Sequence, residues 1–154
     1  MLKLNSVQAS FLAFSVLAVS VFSFVAFSLP AQAAGLKVSP VLECVISRDL
    51  DSDGVTDLYT GVFGYFNRNA EVVSVAAGSN DNKFNPTPAL RSQPTDFQPG
   101  RVVGAFAVNF VSGNQVWTLK SLGNSAGTAT VNPTSKPCTA GQEALHPYNP
   151  AFTF

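Results

Sequence analysis

The chain has 154 residues, 46% of them hydrophobic and 12% charged, with nine basic side chains set against nine acidic ones. Balanced charge argues against a nucleic-acid binder, which carries a basic excess to displace phosphate counterions. The hydrophobic fraction excludes a solvated disordered chain, and the length suits one domain.

The N-terminal segment changes every other reading. Lys3 and the polar stretch Asn5–Gln8 precede an uncharged run from Phe11 to Leu29; Pro30 ends it, and Ala31-Gln32-Ala33-Ala34-Gly35 follows. A basic start, an apolar run and a small-x-small end predict a signal peptide over residues 1–33, cleaved after Ala33 or, as next choice, after Ala34. The rival is a retained anchor, because the run is long enough to just span a bilayer. Serines dilute it and no basic stop-transfer cluster follows, which favours cleavage. The expected product is secreted or held at the cell surface, with no membrane span after cleavage.

Export gives the two cysteines a meaning. Cys44 and Cys138 allow one intramolecular disulfide, which would close most of the mature chain. A small exported domain with a modest core gains stability from such a closure.

In chain order the mature sequence reads as all-β, an immunoglobulin-like two-sheet antiparallel sandwich of about seven strands over residues 34–139. Val41–Ile46 alternates, with Leu42, Cys44 and Ile46 expected on one face. Asp57–Phe66 is rich in aromatic and β-branched residues, and Glu71–Ala77 carries Val72, Val73 and Val75. Phe84–Pro99 contains Pro86, Pro88, Pro94 and Pro99, and proline cannot donate to a ladder, so this stretch reads as a crossover loop pinned at its ends by Phe84 and Phe97. Arg101–Val111 alternates Val102, Gly104, Phe106, Val108 and Phe110 against Val103, Ala105, Ala107 and Asn109. Gln115–Leu122 sets Trp117 and Leu119 opposite Val116, Thr118 and Lys120, and Gly127–Val131 completes the strands. Turn clusters separate these pieces. Residues 140–154 form a proline-rich tail, weakly ordered beyond about residue 141, with Tyr148, Phe152 and Phe154 available to dock on the sandwich or on a partner.

Candidate chemistry is sparse. Asp49, Asp51, Asp53 and Asp57, with Gly54 between them, follow the spacing of a calcium loop, in which the Val55 carbonyl supplies a further oxygen. The twelfth position should be a bidentate Glu and is Thr60, and no helix flanks the loop. Calcium is the only candidate cofactor; the competing reading is a polar hairpin tip whose aspartates serve turn chemistry. The single histidine, His146, lies in the tail and is expected to be an exposed bystander. Glu43, Glu71, Asp81 and Asp96 are the remaining candidates for paired carboxylates, and nothing in the sequence brings two of them together. With no nucleophile, base or zinc set to assemble, no catalytic residue is assigned and the chain reads as a non-enzyme. Tyr59, Phe63, Tyr65, Phe66, Phe106 and Trp117 could form a sugar-stacking platform but read as core.

Pro40-Val41-Leu42-Glu43-Cys44-Val45, Gly61–Asn67, Asn82–Pro86, Gln93–Arg101 and Val116–Leu119 together resemble a β-sandwich module of bacterial secreted and cell-surface proteins, often found beside immunoglobulin-like repeats. The resemblance covers roughly residues 39–138. It implies a sandwich with no assigned catalytic residues. The sequence departs from the pattern at Ser47–Asp57, which is longer and more acidic than the family's first turn. The expected function is a structural or adhesive module contacting an extracellular protein or polysaccharide. The alternative is a small ligand-binding protein, calcium-stabilised or carbohydrate-binding.

Overall fold

The computed structural model describes residues 35–147; the predicted signal segment 1–33 and the tail aromatics Tyr148, Phe152 and Phe154 lie outside the described residues. Eight strands and one short helix follow in order: β1 Ser39–Arg48, β2 Leu58–Asn67, β3 Val73–Ser74, β4 Asn82–Asn85, β5 Asp96–Phe97, β6 Gly100–Phe110, β7 Gln115–Leu119, β8 Gly127–Val131 and α1 Ala140–Ala144. One antiparallel sheet runs β1-β2-β6, a second runs β4-β7-β8, and β3 pairs with β5. This is the antiparallel sandwich the alternation predicts.

The core between the two larger sheets is aromatic. Phe63 and Tyr65 of β2 and Phe106, Val108 and Phe110 of β6 meet Phe84 of β4, Trp117 and Leu119 of β7, and Ala129 and Val131 of β8. Trp117 is the hub: it lies edge-on to Phe106 at 4.9 Å and to Phe63 at 6.0 Å between ring centroids, and parallel to Phe84 at 6.4 Å. Such offset and edge-to-face pairs add to plain area burial. The alternation in β6 and β7 therefore emerges as read, with Val103 outside and Phe106 inside.

β1 does not follow its simple alternation. A bulge between Leu42 and Cys44 shifts the register against β2. Leu42 thus packs on the main core, while Cys44 and Ile46 form a separate cluster with Val62 and Cys138. The expectation that Leu42, Cys44 and Ile46 share a face is corrected by that one extra residue, which re-aims everything before it. A second register shift, between β2 and β6, sets the single residue Gly64 opposite Val103, Gly104 and Ala105. A Cβ on Gly64 would collide with the Glu43 carboxylate and the Val102 carbonyl, so the Glu43–Arg101 ion pair requires glycine beneath it.

Cys44 and Cys138 are joined, across a sequence separation of 94. The segment carrying Cys138 runs beside β1: Val45 donates its N–H to the Lys136 carbonyl and accepts from the Cys138 N–H, both at 2.9 Å. Beyond it Thr139 caps α1 through a capping box with Gln142. The described tail is then tied down again. Arg48 Nη2 donates to the His146 carbonyl at 2.8 Å, and the His146 imidazole lies over Gly104, whose φ of +60° and missing side chain leave it room. His146 is half-buried rather than an exposed bystander, and partial burial lowers its pKa from the usual value. The sequence offers no signal for this, because the seat is a glycine on a distant strand.

β4 and β5 lie where a turn and an irregular crossover are expected. Asn82 and Asn85 bound β4, and both are turn formers. Pairing with β7 overrides that preference by setting Phe84 opposite Trp117. Phe84 and Phe97 do pin the stretch, at 2% and 0% exposure.

Candidate functional site

The hairpin between β1 and β2 carries the acidic loop. Its base closes through the Asp57 N–H donating to the Arg48 carbonyl at 2.9 Å. Inside the loop the aspartates serve the backbone. Asp49 accepts from the N–H groups of Ser52 at 2.7 Å and Gly54 at 2.8 Å; Asp51 accepts from Asp53, Asp53 from Val55, and Asp57 from Leu50. The Gly54 N–H is the main reason the Asp49 carboxyl lies below the usual carboxylate range. Four like charges in nine residues are thus tolerated because each accepts an N–H dipole and stands in water. In this form of the loop each of the four carboxylates accepts at least one backbone N–H.

Of the four calcium candidates, Asp49, Asp51 and Asp57 each offer an oxygen within 4.8 Å of the others, all exposed. Asp53 is not in that group; its Oδ1 is turned to the Val55 N–H. Thr60 lies inside β2 at 5% exposure and donates through Oγ1 to Asn109 Oδ1, so the twelfth position of the loop has no ligand role. Val55 is an exposed loop residue. The arrangement can offer a partial oxygen set to a hard cation, and it can equally offer negative charge to a cationic group.

The other carboxylates are dispersed among separate partners. Glu43 pairs with Arg101, Asp81 lies 3.9 Å from Lys120, and Asp96 accepts from the Ser74 hydroxyl. Glu71 is exposed on the loop after β2. The stacking candidates are in the core: Trp117 and Phe63 at 0% exposure, Tyr65 at 3%. Tyr59 packs against the core through Phe110, and Phe66 receives the Arg68 guanidinium over its ring.

The residues that composition and spacing do not single out are buried amides. Asn82 is fully buried: its Oδ1 accepts from the Trp117 indole N–H at 2.9 Å, and its Nδ2 donates to the carbonyls of Val75 at 3.0 Å and Pro94 at 2.8 Å. Gln93 donates to the carbonyls of Asn82 and Ala89 and accepts from the Arg91 N–H. Asn67 donates to the carbonyls of Glu71 and Phe97 and accepts from Asn69. Each stitches an irregular segment to the sandwich. The one usable signal is indirect: a tryptophan on a core-facing strand position needs an acceptor for its N–H.

No family model, no curated protein and no solved structure matches the chain.

Proposed function

We propose that the chain is an exported, non-catalytic structural or adhesive module, which presents loops from a rigid disulfide-closed sandwich to an extracellular protein or polysaccharide. The observation that carries this reading is where the buried polar chemistry goes. Asn67, Asn82 and Gln93 are spent on holding the loops around residues 69–71, 75–79 and 86–97, each with several hydrogen bonds, and the aromatic rings are spent on the core beneath them. Rigidly held loops lower the entropy cost of binding a partner. The signal-like N-terminus, the disulfide and the resemblance to bacterial surface modules support the same reading. Among the described residues no helix is long and apolar enough to cross a membrane.

The test is retention. Beads carrying the exported protein with its disulfide intact are presented to intact cells and to isolated wall polysaccharide. Native protein is expected to retain one of them and reduced, alkylated protein to lose it. No retention, or equal retention by both forms, overturns the proposal.

A second reading, a calcium-stabilised ligand-binding protein, is favoured by the convergence of Asp49, Asp51 and Asp57. A carbohydrate would meet the loops, or the half-buried rings of Tyr59 and Phe66, because Phe63, Tyr65, Phe106 and Trp117 are buried.

A further inference from the structure

The sheet β1-β2-β6 has two outer strands, and the C-terminal segment meets them in turn. At β1 it adds itself to the open side: the Val45 N–H donates to the Lys136 carbonyl and the Cys138 N–H to the Val45 carbonyl, with Val45 and Pro137 paired in parallel. Cys138 then packs with Cys44, Ile46 and Val62 on the face away from the main core. Past α1, the His146 imidazole rests on Gly104 of β6, and Arg48 holds the His146 carbonyl. The segment has thus crossed the sheet from β1 to β6, and Pro147 leaves it at the strand with the second open side.

β6 is eleven residues long. Among the described residues β2 is its one strand neighbour, and no loop backbone is hydrogen-bonded along its other side. Arg91 Nη1 donates to the Asn109 carbonyl at 3.3 Å from outside the sheet. That contact marks Asn109, and Ala107 two residues before it, as turning their main-chain groups away from β2. Apolar side chains stand in water around this strand: Val103 is 63% exposed, Val111 58%, and Leu145, next to His146, 76%. Sheets normally cover or blunt so long an edge.

The sequence that follows Pro147 has the period of a strand. Tyr148, Pro150, Phe152 and Phe154 alternate with Asn149, Ala151 and Thr153. We infer that residues 148–154 pair with the open side of β6 in the same molecule and extend this sheet by a fourth strand. Seven extended residues reach about 23 Å; from Gly104 the ladder offers about 20 Å toward Phe110 and about 13 Å toward Gly100, so the segment runs toward Phe110, parallel to β6. The proline sets the phase. Pro150 has no N–H to give, so it takes a position that faces solvent, and the N–H groups of Asn149, Ala151 and Thr153 face β6. Main-chain bonds supply the affinity, as in other strand additions to a sheet edge. The occupant is the chain's own segment because the seat of His146 on Gly104 already holds it at β6, which makes the pairing intramolecular. The inference is independent of the adhesive reading.

The test is amide hydrogen exchange, followed by NMR on the isotopically labelled exported protein with its disulfide intact. The parent is compared with a chain ending at Pro147 and with Ala151→Pro and Ala151→Ser. The amides of Ala107, Ala151 and Thr153 are expected to be protected in the parent. Ala107 should exchange at least about tenfold faster in the shortened chain and in Ala151→Pro, which removes a donor to β6, and should stay protected in Ala151→Ser. The Phe106 and Val108 amides, which face β2, should keep their protection throughout and report that the sandwich remains folded. Free-peptide exchange of residues 149, 151 and 153 in the parent, or Ala107 protection that survives both the shortening and Ala151→Pro, overturns the inference. A parent that elutes as a dimer, and becomes a monomer when residues 148–154 are removed, also overturns it, because the strand is then donated to a second copy.

Discussion

Replacing Asn82 with alanine is the sharpest perturbation of the scaffold. The change strands the Trp117 indole N–H and removes the donor to the Val75 and Pro94 carbonyls, all at a site with no solvent exposure. A buried donor left without a partner costs about 1–3 kcal/mol, and carbonyls that lose a donor add to it. Allowing one group to relax toward water, the total is about 3–5 kcal/mol, against a whole-domain stability of about 5–15 kcal/mol. In urea unfolding followed by the fluorescence of Trp117, the single tryptophan, the midpoint should fall by about 2 M. The partner test is a cycle with Trp117→Phe, read by far-ultraviolet circular dichroism. Once the indole N–H is gone, Asn82→Ala should cost about 1–2 kcal/mol less, because one stranded donor has been removed. A loss under about 1 kcal/mol for Asn82→Ala, or strict additivity in the cycle, would refute the claim that this amide organises the loops.

Three further outcomes are expected. Replacing Cys44 and Cys138 together should remove up to about 4–5 kcal/mol of stability on the loop-entropy model, given the separation of 94 residues, and denaturant titration checks it. If the acidic loop takes calcium, about 10 mM of the ion should raise the melting temperature by about 4 °C in the parent and in Asp53→Ala but not in Asp51→Ala, because Asp51 belongs to the converging group of Asp49, Asp51 and Asp57 and Asp53 does not; no shift in the parent leaves the loop as a self-capped turn. His146 has its pKa lowered by burial, so the unfolded chain binds its proton more readily than the native one. Its contribution is therefore full above the unfolded value near 6.5 and is lost as pH falls through the lower folded value; melting curves of the parent and of His146→Gln should converge in acid and separate towards neutral pH.

What the sequence made legible follows from how local each signal is. The aromatic alternation of β6 and β7 is a period-two pattern within one strand, and it places Phe106, Val108, Trp117 and Leu119 correctly. The disulfide could be read from two cysteines in a chain expected to be exported. The bulge after Leu42 was not legible, since one extra residue leaves no mark in composition and yet turns Leu42 away from Cys44. β4 and β5 exist only through pairing with strands elsewhere in the chain, and their asparagines and prolines argue locally for turns. The acidic loop shows a different limit. Aspartate spacing alone fits both ligand and turn chemistry, and only the hydrogen bonds reveal that Asp49 caps Ser52 and Gly54 while Asp53 turns to Val55. The seat of His146 on Gly104 joins two positions far apart in sequence and chemically unremarkable by themselves.

The central claim, an exported scaffold closed by its own disulfide, is tested most directly by the intact mass of the natively exported protein after alkylation without reduction. The account predicts the mass of residues 34–154, or of 35–154, less two hydrogens and with no alkyl adduct. A mass that begins at Met1, or one that carries two adducts, would contradict it.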